Sequence, residues 1–235
     1  MNNLVKALST FEFIGVFSVL RFPVVIHSVP GSGKSSLIRE LIAEDESFVA
    51  FTAGVPDSPN LTGRYIKPYS PGCAVQGKVN ILDEYLSVQD ISGFDVLFSD
   101  PYQNISIPKE AHFIKSKTCR FGVNTCKYLS SFGFKVSSDG LDDVIVGSPF
   151  TLDVEGVLIC FGKEAVDLAV AHNSEFKLPC EVRGSTFNVV TLLKSRDPTP
   201  EDRHWFYIAA TRHRKKLVIM AVKCLFSSLL IGPKP

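Results

Sequence analysis

The sequence predicts an α/β chain of two small lobes, each built on a parallel sheet. Short continuous apolar runs, not alternating ones, recur between helix-like stretches, which is the pattern of strands buried on both faces. Charge also changes sign along the chain. Residues 1–112 carry 8 basic and 12 acidic side chains, whereas residues 113–235 carry 17 and 12. A length of 235 residues suits one large domain or two small ones. The segment Pro101–Lys117, with two prolines and several polar residues, is the expected boundary. The lobes are therefore read as 1–112 and 113–235.

In the first lobe, a strand over Phe22–Ile26 runs into a glycine-bearing loop and then a helix over Ser35–Glu44. Strands follow at Phe48–Thr52, Val79–Leu82 and Val96–Phe98. The second lobe reads as helix Thr125–Ser131, strands Val144–Val146 and Val157–Phe161, helix Lys163–His172, strand Phe187–Leu193, helix Pro200–Thr211 and strand Leu217–Val222. Most runs are closed by Gly, Pro, Asp or Ser. The apolar stretch Leu217–Ile231 is shorter than the roughly 20 residues a membrane-spanning helix needs, so it is read as a buried strand with an apolar tail and no transmembrane span. A secretory leader is not expected, because Glu12 interrupts the approach to the apolar run Phe13–Leu20 and Arg21 follows it at once.

A hydrophobic fraction of 45% with 21% charged residues excludes a disordered or low-complexity chain. The net charge of +1 excludes indiscriminate attraction to polyanions, although the positive second half is where a polyanion should bind. Six cysteines without a CxxC pair or a nearby histidine at ligand spacing signal neither a zinc site nor a disulfide framework, and fit a reducing cytosol.

The strongest local signal is the loop Ser28-Val29-Pro30-Gly31-Ser32-Gly33-Lys34-Ser35 between strand and helix. Gly31 and Gly33 let successive backbone N–H groups turn inward onto phosphate oxygens, helped by the positive end of the following helix. Lys34 would reach the β- and γ-phosphates and the Ser35 hydroxyl would ligate Mg²⁺. This is a Walker A loop for ATP or GTP, with Ser28 where the pattern has its first glycine.

Asp83 and Glu84 close the apolar strand Val79–Leu82, at the strand end where ligands sit in an open parallel sheet. Asp83 would enter the Mg²⁺ shell and Glu84 would polarise the attacking water. The strand ending in Ser99-Asp100-Pro101-Tyr102-Gln103 puts Gln103 where an amide would sense the γ-phosphate. Hydrolysis further needs cationic charge at the phosphates. Arg120 and Arg212 are the candidates, each set against a plainer reading: a solvated surface for Arg120, and a helix C-terminal cap for Arg212. Arg183, Arg196, Arg203, Arg214, Lys215 and Lys216 would neutralise the phosphates of a polynucleotide, and Arg64-Tyr65-Ile66-Lys67-Pro68-Tyr69 mixes cations with aromatics suited to stacking single-stranded bases.

The ordered series Gly-Ser-Gly-Lys-Ser (31–35), Phe-Thr-Ala-Gly (51–54), Leu-Asp-Glu (82–84), Ser-Asp-Pro-Tyr-Gln (99–103), Cys-Arg-Phe-Gly (119–122), Gly-Ser-Thr-Phe (184–187) and Ala-Ala-Thr-Arg (209–212) resembles the motifs of viral superfamily 1 helicases. The likeness covers roughly residues 20–222. More narrowly, a chain that is almost nothing but this core, with Thr-Ala-Gly-Val-Pro-Asp-Ser-Pro-Asn-Leu-Thr-Gly-Arg-Tyr-Ile-Lys (52–67) after the second strand, resembles the first movement proteins of the triple gene block of filamentous plant RNA viruses.

The resemblance implies two RecA-like lobes with ATP between them, Lys34 and Ser35 on phosphate and Mg²⁺, and Asp83 on Mg²⁺. It further implies Glu84 as base, Gln103 as sensor, and Arg120 and Arg212 as γ-phosphate cations from the second lobe. Ser28 and Ser99 stand where the wider family has glycine, and Arg183 where it often has glutamine. The resemblance also implies an ATP-dependent, helicase-like grip on single-stranded viral RNA, self-association, and partnership with coat protein and other movement proteins. Transport through plasmodesmata from the host cytoplasm and suppression of RNA silencing complete what it implies. Two rivals remain at this level: a small P-loop kinase, and an RNA-binding scaffold that binds nucleotide without using it.

Overall fold

The computed structural model describes residues 2–17 and 19–222. The apolar tail expected beyond Val222 lies outside the described residues. The chain divides into two compact units, Met1–Arg120 with Lys135–Ser138, and Phe121–Phe134 with Asp139–Pro235.

In the first unit, helix α1 (Asn2–Thr10) precedes a short strand β1 (Ile14–Gly15). Then come β2 (Val24–Ser28), α2 (Lys34–Glu44), β3 (Phe48–Thr52), β4 (Lys67–Pro68), β5 (Val79–Asp83), β6 (Val96–Ser99) and β7 (Phe113–Lys115). Among the described residues they form one seven-stranded sheet in the order β1-β7-β2-β6-β5-β3-β4. All its pairings are parallel except β1 with β7.

Successive residues of a strand face opposite sides of a sheet. Val24 and Ile26 accordingly enter one core with Leu37, Ile38 and Leu41 of α2 and Leu4 and Leu8 of α1, while Val25 enters a second core with Leu82, Leu97 and Phe51. Burial on both faces is what makes these strands read as unbroken apolar runs.

The second unit holds α3 (Val123–Ser130), β8 (Asp143–Gly147), β9 (Val157–Phe161), α4 (Lys163–Ala171), β10 (Phe187–Lys194), α5 (Arg203–Ala210) and β11 (His213–Ala221). Its four strands are all parallel, in the order β8-β11-β10-β9. Helix α4 buries Ala165 and Ala169 against Leu158, Cys160, Leu193, Val218 and Met220. In α5 every residue from Phe206 to Ala210 is buried, as expected of a helix that is apolar all round.

The division does not fall between 112 and 113. Strand β7 pairs in parallel with β2, Ile26 opposite Phe113 and Ser28 opposite Lys115, so the first unit continues to Arg120. Arg120 is thus the last residue of the first unit's main segment and not a contribution of the second. The basic cluster after Arg212 also differs from the expected helix end. Helix α5 stops at Ala210 and residues 213–216 open β11, where His213 lies opposite Phe187 and Lys216 opposite Asp143. Pairing of His213 with β10, and of Lys216 with β10 and β8, holds the two ends of this polar segment in the strand, the irregular register of β10 with β11 falling between them.

Candidate nucleotide-binding site

Strands β2, β5 and β6 run parallel, so Ser28, Asp83 and Ser99 end together at one edge of the first sheet. From the end of β2 the chain turns through Val29–Gly33 into α2, with Gly31 at φ 75° and Gly33 at φ 92°, both in the left-handed region that glycine tolerates. Gly31 is also sterically obligatory: a Cβ there would lie 2.5 Å from the Arg120 Cβ and 2.8 Å from Thr118 Oγ1.

The loop is braced by the segment after β7. Val29 N–H donates to Lys115 O at 3.1 Å, Cys119 N–H to Gly31 O at 2.9 Å, and the Thr118 hydroxyl to Pro30 O at 2.6 Å. Thr118 Oγ1 in turn accepts from Arg120 N–H at 3.0 Å. Arg120 is therefore attached to the phosphate loop through its own backbone.

Lys34, the first residue of α2, lies between the two acidic residues. Its Nζ is 2.8 Å from Asp83 Oδ1 and donates to Glu84 Oε1. Burial alone would lower the lysine pKa, but the two carboxylates together outweigh it and hold the ammonium form above the ordinary lysine value. Asp83 is 7% exposed, and its burial raises its pKa in spite of Lys34, with Glu84 adding to the rise. The Thr52 hydroxyl at the end of β3 donates to Asp83 Oδ2 at 3.3 Å and accepts from Gly54 N–H at 2.9 Å, so Phe-Thr-Ala-Gly orients the Mg²⁺-type carboxylate. Glu84 itself has φ 58°, an unfavourable conformation for a side chain of its size, and Ser99 Oγ lies 3.5 Å from its Oε2.

Gln103 is buried beyond β6, its Nε2 donating to Asp100 Oδ2 at 2.8 Å, while Tyr102 N–H donates to Asp100 Oδ1 at 3.0 Å. Burial pushes Asp100 up to about 6. A carboxyl whose folded pKa lies above its unfolded value near 3.8 contributes stability below that value and loses it as pH rises through about 6. Asp100→Asn keeps an acceptor for Tyr102 N–H, and Gln103 can present its carbonyl to the new amide. The variant is expected to gain on the order of 2 kcal/mol over wild type at pH 8 and almost nothing at pH 4. Urea unfolding at both pH values checks this, and an equal difference at the two would refute it.

The site accommodates nucleotide and Mg²⁺ on its own chemistry. Ser28 Oγ and Ser32 Oγ are buried in the loop without a protein hydrogen-bond partner, as acceptors and donors for a polar guest would be. The Asp83 carboxylate and the half-buried Ser35 hydroxyl are hard oxygen donors of the kind that would hold Mg²⁺. Residues Lys34, Asp83 and Glu84 are brought into direct contact, with Ser28, Ser32, Ser35, Gln103 and Arg120 on the same unit.

Arg212 belongs to the second unit and is 1% exposed. Its Nε donates to Ile208 O at 2.9 Å and its Nη2 to Thr211 Oγ1 at 2.9 Å, so the guanidinium caps the end of α5. Several cations read as an RNA surface are engaged elsewhere. Arg196 pairs with Asp202, Lys216 Nζ lies 2.6 Å from Glu155 Oε1, and Arg203 sits 4.6 Å from the Phe134 ring centre. Arg214 and Lys215 are exposed. In the first unit, Arg64, Tyr65, Lys67 and Lys78 line an open cavity of about 300 Å³, where Arg64 pairs with Glu46.

Residues 24–221 match the viral superfamily 1 RNA helicase core domain. The chain belongs to this family. The movement and silencing protein TGBp1 of Apple stem pitting virus (isolate PA66) is 39% identical over 222 residues, spanning 94% of this chain and 100% of that protein. TGBp1 of Chrysanthemum virus B is 41% identical over 233 residues, spanning 97% and 100%. The superfamily 1 core is thus shared with the TGBp1 movement and silencing proteins along nearly their whole length. Among solved structures, an arterivirus nonstructural protein 10 helicase in complex with DNA superposes with a TM-score of 0.53 at 16% identity, over 93% of this chain and 57% of that one. The PRRSV helicase gives 0.52 at 16% identity, over 97% and 52%. At that identity the likeness establishes the α/β helicase fold, and the chain spans little more than half the length of these helicases. Among the described residues, no helix is long and apolar enough to cross a membrane.

Proposed function

We propose that this superfamily 1 chain is an RNA-stimulated ATPase that moves viral RNA from cell to cell and suppresses host RNA silencing. The observation that carries the reading is the Lys34 ammonium held between Asp83 and Glu84 at the mouth of a phosphate loop. Lys34 exchanges its carboxylates for the β- and γ-phosphates, Ser35 and Asp83 would hold Mg²⁺, and the released Glu84 takes a proton from the attacking water. Mg²⁺ supplies neutralising charge at the phosphates. Gln103 senses the γ-phosphate, and Arg120 and Arg212 stabilise the charge that develops on it. Arg120 is supported in this role by its backbone attachment to the loop. Exposed Arg214 and Lys215, with the Arg64–Lys67 cavity, provide cationic and aromatic contacts for single-stranded RNA. Movement and silencing suppression are supported by kinship with the TGBp1 movement and silencing proteins, and self-association, coat and movement protein partners, and a place in the host cytoplasm and at plasmodesmata belong to the same proposal.

The test is ATP hydrolysis with and without single-stranded RNA, for wild type and Lys34→Ala. RNA-stimulated turnover that disappears in Lys34→Ala is expected. Turnover indifferent to RNA favours a small kinase. No turnover in wild type, with RNA binding intact, favours a scaffold.

A further inference from the structure

The second unit contains a buried polar cluster that the proposed chemistry does not use. His213 and Thr125 are 0% exposed and Asp142 is 6% exposed. His213 Nε2 lies 3.2 Å from Asp142 Oδ2 and 3.0 Å from Thr125 Oγ1. Burial would raise the Asp142 carboxyl, yet bonds from His213 and Thr125 bring it down to about 2, so it is an ionised acceptor at neutral pH. Because a carboxylate only accepts, His213 Nε2 must carry the hydrogen, which fixes the ring's tautomer and orientation.

The same carboxylate organises the start of α3. Its Oδ1 accepts from Asn124 N–H at 3.0 Å and its backbone carbonyl from the Asn124 amide at 2.7 Å. Gly122 packs so closely that a Cβ there would meet Asp142 N at 2.4 Å. The Phe121 ring lies 5.8 Å from the His213 ring, centre to centre. Phe121 and Gly122 directly follow Arg120, and His213 directly follows Arg212. One ionised carboxylate therefore ties the start of α3 to the residue that follows Arg212.

We infer that Asp142 and His213 are positioning residues that set the backbone from which Arg212 projects, so that its guanidinium group is aimed by a buried pair within its own unit. The inference rests on the reading of Arg212 as a phosphate cation. Orientation is catalytically expensive to lose, a misplacement of about 1 Å costing about 10²-fold in rate.

The test is a double-mutant cycle on RNA-stimulated ATP turnover, with each rate normalised to folded protein by thermal melting. His213→Ala is expected to lower kcat about 10- to 100-fold with the KM for ATP changed less than about threefold. His213→Gln, which can return a donor to Asp142, is expected to recover most of the rate, and it serves where His213→Ala does not fold. In an Arg212→Lys background His213→Ala should cost less than about threefold, because residues acting as one unit are non-additive. Full kcat in folded His213→Ala, or an equal loss in both backgrounds, overturns the inference. If Arg212→Lys and Arg212→Ala both turn over at the wild-type rate, the reading of Arg212 as a phosphate cation fails, and the inference falls with it for that separate reason.

Discussion

Arg212→Ala is expected to lower ATP turnover about 10³-fold or more while ATP affinity stays within a few-fold. A cation that acts on charge developing in the transition state contributes to kcat and little to ground-state binding. The same side chain also has a structural task. Its guanidinium bonds Ile208 O and Thr211 Oγ1 at the end of α5, and truncation removes these two charge-assisted bonds at a cost on the order of 2 kcal/mol, while Ile208 O keeps its bonds from Thr211 N–H and Oγ1. The two effects separate experimentally, since the first alters the rate per folded molecule and the second the melting temperature. Arg212→Lys retains the charge but not the planar fork, so it should fall between wild type and Arg212→Ala in turnover. A folded Arg212→Ala protein with an unchanged rate would leave Arg212 as a helix cap favoured by the α5 dipole and nothing more.

The legible parts of the fold are those where burial acts on every residue of a segment. Strands Phe48–Thr52 and Val157–Phe161 coincide with their apolar runs, because both faces of each sheet are covered and no polar alternation blurs the limits. Strand β7 was not legible: it is three residues long, contains a buried lysine and sits in a stretch of prolines and polar residues that reads as a linker. The early start of β11 was hidden in the same way, since Arg214, Lys215 and Lys216 carry no apolar signal and the strand is set by the pairing of His213 with Phe187 and of Lys216 with Val189 and Asp143.

At the site, Lys34, Asp83 and Glu84 follow from the sequence because a phosphate loop and a strand end confine them locally. Their supports do not. Thr118 bonds Pro30 across 88 residues, and Asp142 meets His213 across 71, so nothing in their own neighbourhoods announces them. Basic residues of the second half were countable, but a count cannot reveal that Arg196 and Lys216 are already paired with Asp202 and Glu155. Salt-dependent RNA affinity should accordingly follow Arg214 and Lys215 more closely than the total of positive charge.

Glu84→Gln is expected to reduce turnover about 10²- to 10⁴-fold, the range associated with loss of a general base, with ATP binding retained. The amide fills the same volume and can still accept from Ser99, but it cannot take a proton from water. It also weakens the hold on Lys34, leaving Asp83 as the lysine's charged partner in the site. ATP affinity should therefore stay level or improve, because phosphate competes with one carboxylate fewer for the ammonium group. Backbone geometry provides an independent check on whether this residue is held for its chemistry. At φ 58° the glutamate occupies a conformation that costs a non-glycine residue roughly 1–2 kcal/mol. Glu84→Gly should thus be more stable than Glu84→Ala by about 1 kcal/mol in urea unfolding, even though both lack the carboxylate and both should be inactive. A chain that retains the strained side chain where glycine is easier is explained by the work of its carboxylate at the end of β5. If Glu84→Gln turns over ATP at the wild-type rate, that work is not proton abstraction, and the pairing of Glu84 with Lys34 is its whole role.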